Sequence, residues 1–105
     1  FSTHVSTENP DPAIQNFITK YKAKYNSMPD AMSFLAYDAG MILFDAMKRA
    51  GTTDPEKVKN ELAKTKDYNG VTGKISINEQ RNAIKPAVIL EIKGGQFKYK
   101  ETVAP

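Results

Sequence analysis

Cysteine is absent from this chain of 105 residues, which excludes disulfides and thiolate metal sites but fits any redox compartment. Histidine occurs once, as His4, so a Ser-His-Asp arrangement would hang on one residue near the chain start, where a solvated side chain is the plainer reading. One His and no Cys leave no ligand set at metal-binding spacing, and no metal or cofactor is expected. No stretch reaches the roughly 18 uninterrupted apolar residues of a membrane span. Asp38, Asp45, Lys48 and Arg49 interrupt the best candidate. Arginine is limited to Arg49 and Arg81, and 15 Lys+Arg stand against 12 Asp+Glu. The lysines spread along helix faces and the tail, without the one-sided basic face and interleaved aromatics of a nucleic-acid binder. A phosphate-cradling pattern is missing too, since Gly70-x-x-Gly73 has neither Lys-Ser/Thr nor a following helix. The chain opens at Phe1 with no initiator Met and no signal-peptide pattern, which suggests processing or a cut from something longer.

What remains is an ordinary globular composition, 40% hydrophobic and 26% charged, in a length that suits one compact domain. After an extended opening, Asp11 reads as a helix cap and Pro12 as the first helical residue. Ile14, Phe17, Ile18, Tyr21 and Tyr25 then form one apolar stripe, with Lys20, Lys22 and Lys24 outside it. Asn26–Asp30 ends this helix. The next, Ser33–Ala50, is apolar nearly all round, and such a helix needs cover on several sides. Gly51 closes it. Asp54-Pro55-Glu56 starts a third helix whose thin stripe, Val58 and Leu62, suits the surface.

Asn69-Gly70 signals a turn, after which the period becomes two. Val71, Gly73, Ile75 and Ile77 alternate with polar residues as in a half-buried strand. Asn78–Asn82 is a polar turn, and Ala87–Leu90 is a continuous apolar run, as in a strand covered on both faces. Gly94-Gly95 marks a hairpin into Gln96–Glu101, with Phe97 and Tyr99 on one face and Lys98 and Lys100 on the other. The fold class is α/β: three helices, then three strands ending in a hairpin.

Two groups of residues carry chemistry. Asp38 and Asp45 stand seven apart on one face of the apolar helix, about 10 Å by helical rise. That is too far for an acid–base pair sharing one substrate atom. A carboxylate on a mainly buried helix instead bonds backbone or a hydroxyl from a neighbouring segment. No catalytic residue is assigned, and the chain is not read as an enzyme. The second group, Met32, Ser33, Phe34 and Tyr37, begins the same helix. Free N–H groups there attract anions and the apolar side chains could wall a pocket, though such a stripe also suits a core.

The order of these features resembles the C-terminal part of a type I periplasmic solute-binding protein of the branched-chain amino-acid family. Pro12-x4-Phe17-x3-Tyr21-x3-Tyr25-Asn26-x2-Pro29 is similar to its "F…Y…YG..P" helix and turn. Ala36-Tyr37-Asp38-Ala39 matches "AYDA", followed by "A…AG" at Ala46–Gly51, and Asp54–Val58 resembles the next capped helix. Gly70-x-x-Gly73-x-Ile75-x-Ile77 resembles "G.TG.I.F", and Lys93–Phe97 the closing "I.dG.f" hairpin. No single piece is specific, but the ordered set spans essentially the whole chain.

The resemblance implies a fragment, roughly the last third of a two-lobed receptor whose lobes are joined by three crossing strands. Residues 1–90 would belong mostly to the N-terminal lobe, with Phe1–Val5 near a crossing strand. The 91–105 tail would pack on the other lobe. An aromatic ahead of the long helix lines the side-chain pocket in relatives, and that position falls at Met32, a departure from the pattern. The ligand-binding candidates are Met32, Ser33, Phe34 and Tyr37. The implied function is capture of an amino acid or similar solute outside the cytoplasm, in the periplasm or as a cell-surface lipoprotein. The ligand would then pass to an ABC permease, without covalent chemistry. The alternatives are a self-associating interaction module and the ligand-sensing domain of a transmembrane regulator. With its neighbours missing, the apolar helix should drive the isolated chain into a homo-oligomer, a dimer or strand-exchanged assembly.

Overall fold

Three aspartates start the three helices of the computed structural model, which describes residues 1–105. Asp11 accepts from Ala13 N (2.8 Å) ahead of α1 (Pro12–Tyr25), and Asp30 from Ser33 N (2.8 Å) ahead of α2 (Ala31–Ala50). Asp54 accepts from Lys57 N (3.1 Å) ahead of α3 (Pro55–Ala63). Each carboxylate satisfies a backbone donor that the first turn leaves open. Gly51 closes α2 in the left-handed region, φ 66°, where a side chain would be strained.

The strands form two antiparallel sheets. A short β1 (Ser2–Thr3) precedes the helices and pairs with β5 (Ala87–Lys93), which pairs with β6 (Gln96–Val103). The second sheet joins β2 (Tyr68–Gly70), β3 (Gly73–Ile77) and β4 (Ala83–Ile84) in that order. The α/β class and the order of three helices before the main strands β3, β5 and β6 agree with the sequence. The β5–β6 hairpin turns at Gly94–Gly95 as expected, and a bulge at Lys100 shifts its register between Ile89↔Glu101 and Leu90↔Tyr99.

Three expectations need correction. Val71 and Thr72 form a turn between β2 and β3, with Asn69 and Gly70 inside β2. The Asp38 carboxylate takes both N–H groups of that turn, so they cannot join a ladder. Ala87–Leu90 is covered mainly on one face: Val88 is buried, Ala87 exposed, Ile89 and Leu90 half-buried. A strand's side chains alternate, and no layer within this chain covers the second face. Helix α2, though apolar all round, buries a single stripe, Phe34, Asp38, Ile42 and Ala46, one residue per turn. Met41 and Phe44 stand open, Phe44 63% exposed.

The core gathers Val5, Ile14, Ile18 and Phe34, with Phe17, Ala31 and Val71 against it. Further along α2, Ile42 and Ala46 are buried, as are Val58 of α3 and Ile75 of β3. Arg49 fastens α2 to the end of α3, donating to the Glu61 carbonyl (2.8 Å), its carboxylate (3.0 Å) and Thr65 Oγ1 (3.1 Å). The molecule measures 51 × 32 × 18 Å with a radius of gyration of 15.3 Å. A compact domain of 100 residues would give about 13 Å, so this chain is a thin slab.

Candidate ligand-binding site

Helix geometry separates the four candidate residues. Successive residues turn by about 100°, so neighbours at the start of α2 point in different directions. Met32, 65% exposed, faces a hollow of about 410 Å³ with Ser2, Thr3, His4, Lys85 and Pro86. Phe34 is fully buried, its ring centroid 4.6 Å from that of Phe17. It is core and presents no surface in this chain. Ser33 and Tyr37 lie on the other side, along a groove of about 610 Å³ between α1 and α2.

The start of α2 is also less open to anions than its N–H groups suggest. Asp30 accepts from Ser33 N and from Ser33 Oγ (2.7 Å), and these bonds hold its carboxyl below the usual range. The chain's own carboxylate therefore fills the helix cap. Ser33 Oγ, also within 3.2 Å of Tyr21 Oη, is committed to the cap rather than free for a ligand.

The α1–α2 groove is aromatic. Phe17 packs on Tyr37 at 4.9 Å between centroids, Tyr21 on Tyr25 at 4.6 Å, and the Lys24 ammonium sits 5.5 Å from the Tyr25 ring. Sequence spacing assigns Tyr21 and Tyr25 to a core stripe, yet Tyr25 is 57% exposed. The available signal was that both tyrosines carry a hydroxyl, unlike Ile14 and Ile18.

The Met32 hollow sits where separate parts of the chain converge: β1, the start of α2, and the approach to β5. Ser2 pairs with Ile89 and Thr3 with Val88, so the first and last thirds of the chain meet there. Lys85 closes one side, its Nζ donating to the carbonyls of Pro86 (3.1 Å) and His4 (3.4 Å). Burial pushes its ammonium pKa down, against a smaller opposing influence from Asp38. Nothing in the sequence singles out Lys85, since its partner carbonyl at His4 lies 81 residues away.

A family model described as periplasmic binding protein matches residues 1–96 of this chain. The chain belongs to the periplasmic binding protein family. A leucine-binding protein from Thermotoga maritima is 39% identical and superposes with a TM-score of 0.82, covering 100% of this chain and 30% of the other. A branched-chain amino-acid transporter substrate-binding protein from Streptococcus pneumoniae, solved with isoleucine, is 34% identical with a TM-score of 0.84 and the same coverage. A solute-binding protein from R. palustris, solved with benzoate, is 21% identical with a TM-score of 0.82 and supports the fold alone. The chain spans about 30% of the length of these relatives. The family is one of binding proteins rather than enzymes, in keeping with the absence of a catalytic assignment.

Proposed function

We propose that this chain is part of an extracytoplasmic receptor that captures a branched-chain amino acid or similar small solute for an ABC permease. The observation that carries the reading is identity of 39% and 34% to two such binding proteins along the whole chain, with every element in order. On this reading residues 1–90 contribute mostly to the N-terminal lobe, and the 91–105 tail packs on the other lobe. The solute lies against the Met32 hollow, at the pairing of β1 with β5, and closure of the second lobe traps it.

Of the four sequence candidates, Met32 is the one we place at the solute. Tyr37 and Ser33 shape the α1–α2 groove behind it, and Phe34 fixes the helix to the core. The thioether of Met32 is flexible and apolar, which suits a branched aliphatic side chain. In the receptor that carries this segment, Met32→Ala should weaken leucine binding roughly tenfold, the value of a lost apolar contact of 1–2 kcal/mol. Calorimetric titration measures it, and unchanged affinity for leucine, isoleucine and valine would remove Met32 from the site. The exposed Met41 and Phe44 favour a second behaviour, self-association of the isolated chain.

A further inference from the structure

We propose that the Glu8 carboxylate straps the joint between the two lobes, fastening β6 to the body of the chain and limiting how far the lobes swing apart. This rests on the proposed division of the chain, with residues 1–90 mostly in the N-terminal lobe and the 91–105 tail on the other. One end of the strap is fixed. Val5 and Ser6 are buried, and Glu8 follows them on a turn in which Asn9 N donates to the Ser6 carbonyl (3.2 Å). Gln15 of α1 donates from Nε2 to the carbonyls of Thr7 (3.0 Å) and Asn9 (2.7 Å), on either side of Glu8. The turn that carries Glu8 therefore moves with α1.

The other end is a strand with little else to hold it. β6 pairs with β5 alone, and none of its side chains is buried. Its Tyr99 and Thr102 share a hollow of about 280 Å³ with Ile14 of α1 and Thr72, so open space rather than packing lies beside the strand. At the hairpin end Phe97 meets Phe1, centroids 5.2 Å apart, but the Phe1 carbonyl accepts from Leu90 N, so that contact stays within the β1–β5–β6 sheet. Glu8 reaches in from outside the sheet. Its Oε1 accepts from Lys98 Nζ (2.8 Å) and its Oε2 from Tyr99 N (3.2 Å), beside the Lys100 bulge where the ladder is interrupted. The Lys98 and Glu8 side chains are 42% and 43% exposed, so the pair adds little to stability. At a hinge, however, a small bias is enough to shift the populations of open and closed states.

The test uses the receptor that carries this segment, spin-labelled through Lys59→Cys on α3 and Gln96→Cys at the hairpin turn, with leucine as the ligand. Both positions are exposed. In the parent, leucine should shift and narrow the distance between the labels, read by double electron–electron resonance. Glu8→Ala should broaden the leucine-free distribution and weaken leucine binding roughly threefold, the scale of a half-exposed ion pair. Lys98→Met, which leaves Tyr99 N its acceptor, should do less of both. An unchanged distribution in Glu8→Ala, even with a lower thermal midpoint, overturns the strap and leaves the receptor reading intact. If leucine binds the parent but the distance stays fixed, the tail travels with the N-terminal lobe and the strap spans no joint. If leucine does not bind the parent, the receptor reading itself fails, and the strap with it.

Discussion

Asp38 and Asp45 occupy the same face of one helix, yet their surroundings separate them. Asp38 is 2% exposed and accepts three hydrogen bonds across the β2–β3 turn: Val71 N (2.7 Å), Thr72 N (2.9 Å) and Thr72 Oγ1 (2.6 Å). Asp45 is half-exposed and pairs with Arg49 at 2.8 Å one turn on. The sequence supports a structural role for a carboxylate here, and Asp38 fulfils it, bonding backbone and a hydroxyl from a neighbouring segment. Its partners, 33 and 34 residues away, were not legible, because only folding brings the turn to the helix. Asp38→Asn, which swaps an acceptor for a donor facing donors, should cost about 2–3 kcal/mol, and Thr72→Val about 1 kcal/mol. Urea unfolding measures both, and an unchanged midpoint for Asp38→Asn would refute the clamp. Gly70 is needed for the same reason: a Cβ there would sit 2.7 Å from Asp38 Oδ2. Gly70→Ala should therefore destabilise the chain although Gly70 has an ordinary backbone conformation.

At the level of elements, helices were legible because their signals are local. Proline and a capping aspartate start α1 and α3, an apolar period near 3.6 carries α1 onward, and α2 is a long apolar run closed by Gly51. Asp54→Ala should cost about 1 kcal/mol by removing the acceptor of Lys57 N, read as a lower thermal midpoint. The short strands β1, β2 and β4 were not legible, since two or three residues carry no period and exist only through their partners. The β6 edge is tied down by another distant contact: Glu8 accepts from Lys98 Nζ (2.8 Å) and Tyr99 N (3.2 Å). The Lys98 bond, then that from Tyr99, lowers the Glu8 pKa. A carboxyl whose folded pKa is depressed stabilises above its unfolded value and loses that contribution as pH falls through the folded one. The attachment should thus hold at neutral pH and loosen below the usual glutamate range. In a carboxyl NMR titration, Lys98→Gln should move the Glu8 midpoint upward; an unmoved midpoint would show that the pair is not formed in solution.

Across the whole molecule, the decisive feature is how little of α2 the chain covers. Helix α2 buries one stripe and leaves Met41 and Phe44 open, on a slab only 18 Å thick. The chain covers 30% of its relatives' length. We expect the isolated chain to self-associate through this face, because apolar patches of this kind are rare on soluble monomers. Sedimentation equilibrium should give a species heavier than the 11.7 kDa monomer, and Phe44→Glu should shift it toward the monomer with the helical circular dichroism unchanged. A monomeric parent chain would contradict this. The isolated chain should also bind leucine no more tightly than millimolar, since most of the relatives' length is missing. Sequence alone determined the helices, the closing hairpin and the resemblance to a family. Those follow from short-range periods and the ordering of motifs. Tertiary structure decided which side of α2 is core, which of its first residues meets solvent, and that Lys85 stands beside Met32. Burial and convergence depend on contacts between residues far apart in the chain, and no local pattern records them.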